Sequence, residues 1–222
     1  VAKVRVDDLV VKLGLAPDKE KAQKIIMAGL VLVDEVPVTK VGATVKEDAI
    51  IRVASTGKFV GRGGDKLEGA LQDLKIEVKD RIAIDIGAST GGFTDCLLTH
   101  GAKLVHAVDV GTNQLDWKLR NDSRVICREG VNARTLDTLP RDTFLPAPTL
   151  AVIDVSFISI KLVIEPLIRI MSRPAEVLAM VKPQFELPKE KVSEGGIVES
   201  EDLQKEACDS VVSFVQSIGG RF

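Results

Sequence analysis

Asp85-Ile86-Gly87-Ala88-Ser89-Thr90-Gly91-Gly92-Phe93-Thr94 is the stretch that decides how this chain is read. The apolar run Arg81-Ile82-Ala83-Ile84 leads into it and reads as a buried strand. Residues 93–98 follow and read as the start of a helix. An acid therefore ends a strand, and glycines without a Cβ let backbone and ligand approach closely at the turn. The helix start then offers N–H groups that have no partner within the helix. Working outward, further short apolar runs fall at 103–108, 125–128, 150–155 and 176–181. Helical patterns lie between and after them, at 92–100, 113–119, 160–170 and 200–217. Strands alternating with helices predict an α/β unit, a parallel sheet with helices on both faces. Pro166 is expected to kink or shorten the third helix, and Pro183 and Pro188 to keep the stretch after the fifth strand irregular.

This turn suits a nucleoside cofactor with a cationic centre better than one with a pyrophosphate. A dinucleotide site takes G-x-G-x-x-G after the strand. Here Ser89 stands at the second glycine position, and an acid precedes the first glycine. A glycine-rich turn without a ligand is the third reading. The stretch resembles the first motif of S-adenosylmethionine-dependent methyltransferases, which implies a Rossmann-like sheet and that cofactor. Asp85, Gly87, Ser89, Gly91 and Phe93 are then candidate cofactor contacts. Asp109 ends the second strand, where an acid accepts bonds from ribose hydroxyls in nucleoside-binding sheets. Asn132, in Glu129-Gly130-Val131-Asn132, suits an adenine contact and a turn-forming role equally. Asp154 and Lys182 also follow strands, so four strands bring polar groups to the carboxyl edge, where such sheets bind ligands.

Composition removes several classes. No apolar run approaches the length that spans a bilayer, and Val1-Ala2-Lys3-Val4-Arg5 is not a signal-peptide core. Three cysteines, far apart, argue for free thiols in a reducing, cytoplasmic setting. Neither His100 nor His106 has a ligand-like partner nearby, so no metal site is expected. The single Trp117 reads as a packing residue, and the absence of tyrosine argues against base stacking on a broad aromatic sheet. Net charge is −2, so a nucleic-acid partner needs a locally basic face. Arg5, Lys12, Lys19, Lys21 and Lys24 supply one candidate, followed by Lys58, Arg62 and Lys66. Interleaved acids (Asp7, Asp8, Asp18, Glu20) leave a solvated mixed-charge face equally open.

Composition divides near residues 54–64, where Ala54-Ser55-Thr56-Gly57 and Gly61-Arg62-Gly63-Gly64 look linker-like. The predicted domains are 1–57 and 58–222. In the first, Val6, Leu9, Val10 and Leu13 have helical spacing, and Gly14 with Pro17 ends that helix. Ala22, Ile25, Ile26 and Ala28 make a second helix closed by Gly29. Runs at 30–33 and 36–38 flank Asp34-Glu35 as a hairpin, and 49–53 gives a last strand. The run from Arg5-Val6-Asp7-Asp8-Leu9 through Gly14-Leu15-Ala16 to Gly29-Leu30-Val31-Leu32-Val33-Asp34 resembles the S4-type RNA-binding module. That resemblance implies phosphate contacts at Arg5, Lys19 and Lys24, with Arg62 a further RNA candidate; such contacts position a protein without reading sequence.

Lys66 in G-R-G-G-D-K-L, Asp154 in D-V-S-F-I-S and Lys182 in V-K-P-Q-F-E resemble three members of the Lys–Asp–Lys–Glu set of ribose 2′-O-methyltransferases. With the first domain attached, the chain resembles the haemolysin A / TlyA family of rRNA methyltransferases. This implies an FtsJ-like enzyme that methylates ribose, of cytidine by family analogy, in rRNA or ribosomal subunits. Lys182 would take the hydroxyl proton, Asp154 would hold Lys182, and Lys66 would orient the hydroxyl. The family's sheet closes with a further strand and hairpin that are expected to be absent here, since the sequence reaches Gly219-Gly220-Arg221-Phe222 where they begin. The fourth member, a glutamate in that hairpin, is therefore assigned to no residue. Two readings compete: a non-catalytic rRNA-binding or assembly factor that keeps a nucleoside pocket, and a membrane-active haemolysin. The lack of a spanning segment counts against the second.

Overall fold

The computed structural model describes residues 3–34, 36–53, 58–61, 63–140 and 142–221, with Arg52 described in its backbone alone. The chain divides into two compact units, Val1–Gly57 and Lys58–Phe222.

The first unit runs β1 (Lys3–Arg5), α1 (Val6–Lys12), α2 (Lys19–Met27), β2 (Val31–Val33), β3 (Val36–Val38), β4 (Thr44–Lys46) and β5 (Ile51–Val53). The helices form because Val6 and Val10 on one and Ala22 and Ile26 on the other bury a shared apolar stripe. Asp18 caps α2 by accepting the Lys21 N–H at 2.8 Å. The expected hairpin is β2–β3, and β5 pairs on the other side of β2 to give an antiparallel order β3-β2-β5. Strands β1 and β4 go beyond the sequence expectation. Each has three residues, and they pair antiparallel with Val4 opposite Val45, a contact that no local pattern announces.

The second unit runs α3 (Gly63–Asp73), β6 (Ile82–Ile86), α4 (Gly92–Thr99), β7 (Leu104–Asp109), α5 (Trp117–Arg120), β8 (Val125–Glu129), a 3-10 turn (Ala133–Thr138), β9 (Leu150–Ile153), α6 (Lys161–Ile170), β10 (Glu176–Ala179), α7 (Pro183–Glu186), a second 3-10 turn (Lys189–Lys191) and α8 (Glu201–Ser217). The sheet is parallel throughout, in the order β10-β9-β6-β7-β8. Alternate strand residues feed two cores, as the two-residue period requires. Ala83, Val105 and Ala107 join Leu67, Leu71 and Leu97 of α3 and α4 on one face. Ile84, Ile86 and Val108 join Val163, Leu167 and Val211 of α6 and α8 on the other. Among the described residues no helix is long and apolar enough to cross a membrane.

Several expectations are corrected. The linker-like glycines at 63 and 64 open α3 instead; a Cβ on Gly64 would stand 2.3 Å from the Phe59 ring, so glycine serves close packing there. The helix expected at 113–119 shrinks to α5, because Asn113 adopts φ 57° and Asp116 caps the turn through the Lys118 N–H at 2.9 Å. Pro166 does not shorten α6, which runs through it to Ile170 with the ring buried. After β10 the chain is not wholly irregular: Pro183 starts the single turn α7, where its missing N–H costs nothing. Trp117 is also 72% exposed rather than a packing residue.

Candidate active site

The carboxyl ends of β6, β7, β9 and β10 meet at one edge of the sheet, and the polar residues expected there take different places. Gly87 leaves β6 at φ 85°, and a Cβ on it would stand 2.6 Å from the Asp154 carbonyl oxygen. No side chain fits, so the turn crosses directly beside the end of β9. Gly91, at the N-terminus of α4, lies against Leu115 and Leu119. Beside this turn is a cavity of about 420 Å³, lined by Lys66 from α3, Gly87, Ser89 and Phe93 from the turn and α4, and Asp154 after β9. That volume falls in the range of small-molecule sites. Asp85, Gly91, Asp109 and Asn132 do not line it.

Asp85 lies inside β6 and is fully buried. Its Oδ2 accepts the Thr94 hydroxyl at 2.7 Å, while Oδ1 has no hydrogen-bond partner among the described residues. Burial pushes the Asp85 carboxyl up to about 7; the Thr94 hydrogen bonds oppose the shift, and Asp154 and Asp109 add to it. Asp109 instead staples backbone. Its Oδ2 accepts the Ser89 N–H and its Oδ1 the Gly111 N–H, both at 2.7 Å, which holds Ser89 at φ 48°. Each oxygen keeps a second acceptor position. Asn132 caps the 3-10 turn by accepting the Arg134 N–H at 3.0 Å, the turn-forming alternative.

Lys182, the residue before α7, reaches back to β9. Its Nζ lies 2.5 Å from Asp154 Oδ1 and donates to Ser156 Oγ at 2.9 Å. Lys66 is exposed and makes no ion pair among the described residues. The three catalytic candidates thus come together, two by direct contact and the third on the shared cavity.

In the first unit the basic candidates are already engaged. Arg5 donates through Nε to Asp7 Oδ1 at 3.0 Å and through a terminal nitrogen to Oδ2 at 2.7 Å. Lys19 pairs with Asp8 at 2.7 Å, and Lys24 with Glu20 one turn earlier at 2.7 Å. All three remain about half-exposed. Arg62 lies outside the described residues.

The FtsJ-like methyltransferase profile matches residues 59–219, the whole span that builds this cavity. The chain belongs to the FtsJ-like methyltransferase family. The S4 domain profile matches residues 4–51. YqxC of Bacillus subtilis is 44% identical over 98% of this chain and 77% of its own length. The 16S/23S rRNA (cytidine-2'-O)-methyltransferase TlyA of Mycobacterium tuberculosis is 40% identical over 98% of this chain and 81% of its own. A solved structure of a hemolysin-named protein from Streptococcus thermophilus superposes with a TM-score of 0.72 at 42% identity, covering 98% of this chain and 79% of that one. The chain is thus an S4-plus-FtsJ-like methyltransferase of the haemolysin A / TlyA family.

The FtsJ-like part also holds residues that motif reading passes over. Ser156 is one letter of D-V-S-F-I-S in the sequence, yet in the fold it accepts the Lys182 amine. Phe157 is 92% exposed at φ 66°, unusual for an aromatic residue, with its ring 5.4 Å from that of Phe185. Glu186 is buried against the start of α6. Lys182 and Ser156 lie twenty-six positions apart, so only the parallel pairing of β9 with β10 makes these contacts readable.

Proposed function

We propose that this FtsJ-like methyltransferase transfers a methyl group from S-adenosylmethionine to the 2′-hydroxyl of a cytidine ribose in rRNA, with 1–57 as the RNA-binding unit and 58–222 as the catalytic one. The observation that carries the reading is the joining of Lys182, Asp154 and Ser156 beside the cavity that Lys66 also lines. Surface ion pairs are worth little by themselves. This one is about three-quarters buried on both partners and stands at the ligand edge of a parallel sheet.

The residues fit the cofactor. The unpartnered Asp85 Oδ1 is a buried acceptor beside the glycine turn and suits a cationic donor. Gly87, Ser89 and Phe93 line a cavity of suitable size, and the free acceptor positions of Asp109 suit ribose hydroxyls. When bound, S-adenosylmethionine supplies an electrophilic methyl group. The chain's part is to prepare the other reactant. A ribose hydroxyl is a weak nucleophile near neutral pH, and Lys182 Nζ, acting in its neutral amine form after giving up a proton to solvent, takes the hydroxyl proton as the oxygen attacks. Asp154 holds the resulting ammonium, and Lys66 orients the ribose. Most of the acceleration comes from alignment, for which about 7–11 kcal/mol is available in favourable cases. Arg5, Lys19 and Lys24 carry exposed charge suited to RNA phosphates. An rRNA substrate sets the place of action in the cytoplasm.

The test is single-turnover methylation of ribosomal subunits, with the modified positions mapped. Lys182→Ala should lose at least about 100-fold in rate while cofactor binding stays within about twofold. Lys182→Arg should fail equally, because a guanidinium does not give up its proton. Near-native turnover in Lys182→Arg would remove proton acceptance from Lys182, and methylation of a base in place of ribose would overturn the reaction.

A further inference from the structure

Lys182 and Asp154 stand on separate loops, one leaving β10 and one leaving β9. A 2.5 Å contact between two loop residues needs a frame, and the structure contains one. Glu186, the last residue of α7, has a fully buried side chain. Its Oε2 accepts the Ser159 hydroxyl at 2.6 Å, and its Oε1 accepts the Ile160 N–H at 2.7 Å. Lys161 Nζ lies 3.7 Å from Oε2. Ile160 is the N-cap residue of α6, and its apolar side chain caps nothing. The carboxylate of Glu186 thus occupies the start of α6 from a different loop, where unpaired N–H groups and the helix dipole favour an anion.

The spacing makes this a clip. α7 is one helical turn with Lys182 as its N-cap and Glu186 at its end. The Phe185 N–H donates to Lys182 O at 2.9 Å, and the Leu187 N–H to Pro183 O at 3.0 Å, which stiffens the turn. Pro183 fixes its first φ. The β10 loop is therefore fastened to the β9 loop twice, one turn apart: at Lys182 by Asp154 and Ser156, and at Glu186 by Ser159 and Ile160. Between them the Phe157 and Phe185 rings lie against each other.

We propose that Glu186 is a positioning residue for methyl transfer. Docked at the start of α6, it holds α7 as a rigid turn and so places the Lys182 amine against Asp154 and the reacting hydroxyl. The proposal rests on the role given to Lys182 above. It asks of Glu186 a length and an acceptor, with charge secondary. Glutamine keeps the length, accepts the Ile160 N–H, and lets the Ser159 hydroxyl turn to accept from its amide. Aspartate keeps the charge but is one methylene too short to reach.

The test measures single-turnover methylation rate, cofactor affinity and RNA affinity in Glu186→Ala, Glu186→Asp and Glu186→Gln, with Ser159→Ala as a milder variant and Lys182→Ala as reference. Misplacement of a reacting group by an ångström costs up to about 100-fold. Glu186→Ala and Glu186→Asp are expected to lose about 10- to 100-fold in rate with both affinities within about twofold. Glu186→Gln should recover to within about threefold of wild type, and Ser159→Ala should lose a few-fold. Should Glu186→Ala fail to fold, the order of Gln above Asp decides. Native rates in both Glu186→Asp and Glu186→Ala would overturn the proposal, as would equal losses in Gln and Asp. If Lys182→Ala keeps its rate, the assignment of Lys182 falls; if Lys182→Ala is inactive and Glu186→Asp is native, the clip alone falls.

Discussion

Asp7 in the first unit and Asp85 in the second are both fully buried, and their surroundings differ in kind. Asp7 accepts two bonds from Arg5, one from Gln23 Nε2 at 3.2 Å and one from the Asp8 N–H at 3.2 Å, with Lys19 3.9 Å away. Bonding to Arg5 holds its carboxyl far below the usual range, against the pull of burial. Asp85 has one hydroxyl on one oxygen and, among the described residues, nothing on the other, and burial pushes it up to about 7. A carboxylate whose acceptors are filled from its own unit organises that unit. A buried carboxylate with an acceptor left unfilled and its pKa pushed up, behind a cavity that it does not itself line, has no such structural employment.

The pH response should separate the two most strongly. The pKa of Asp85 is raised on folding, so its contribution to stability is fully present below about pH 4 and is lost as pH rises to about 7, of order 4 kcal/mol in all. The contribution of Asp7, whose pKa is lowered, is constant over that window and is lost only as pH falls below about 4. Amide exchange in β6 and α4, followed from pH 4 to 7 in wild type and Asp85→Asn, should show a falling stability that the variant flattens. Parallel pH slopes would erase the distinction between the two acids.

Arg5→Ala attacks the closed site. It leaves Asp7 buried without its main partner and should measurably destabilise the first unit, by less than breaking a fully buried pair would because Arg5 is itself half-exposed. Adding Asp7→Ala should recover much of the loss, read as exchange protection across 6–31. No recovery would mean that Arg5 acts through packing beside Gly42, not through charge. Arg5 is for the same reason a poor probe of RNA contact, since its removal alters the fold that presents the others.

The smallest effect on stability is expected for Lys24→Ala, under about 1 kcal/mol because its partner Glu20 is solvent-exposed, with Lys19→Ala next, since Lys19 pairs with the exposed Asp8 but also stands 3.9 Å from the buried Asp7. If these lysines meet phosphates, the salt dependence of RNA binding should shrink by roughly one unit for each phosphate no longer neutralised, with cofactor affinity unchanged. An unchanged salt slope would confine both lysines to the same structural class as Arg5.

Much of the frame is legible in the amino-acid sequence. The strands β6, β7 and β9 are buried on both faces and so read as plain apolar runs, β10 at the sheet edge is half-exposed but still continues into the apolar run to Val181, and the residues just beyond all four inherit the ligand edge. That logic alone finds Asp154 and Lys182. What stays hidden depends on contacts between distant segments. The glycines of α3 look like linker until Phe59 and Phe93 are seen against them. Strands of three residues such as β1 and β4 carry too little pattern to signal pairing across forty positions. Glu186 looks like any charged loop residue, since nothing local says that the Ile160 N–H at the start of α6 takes its acceptor from a distant loop. Arg5 reads as free charge because Asp7, two residues away, belongs to the helix stripe only once α1 is folded.

Trp117 stands 72% exposed at the start of α5, and the chain has no tyrosine and no second tryptophan. The Asp116 N–H beside it donates to Thr90 O at 3.1 Å, and Leu119 fills the space next to Gly91. The only indole in the sequence is thus mounted on the segment that braces the glycine turn. Its emission is an optical gauge of that one place, uncontaminated by any other indole or phenol, and the molecule carries it without a label.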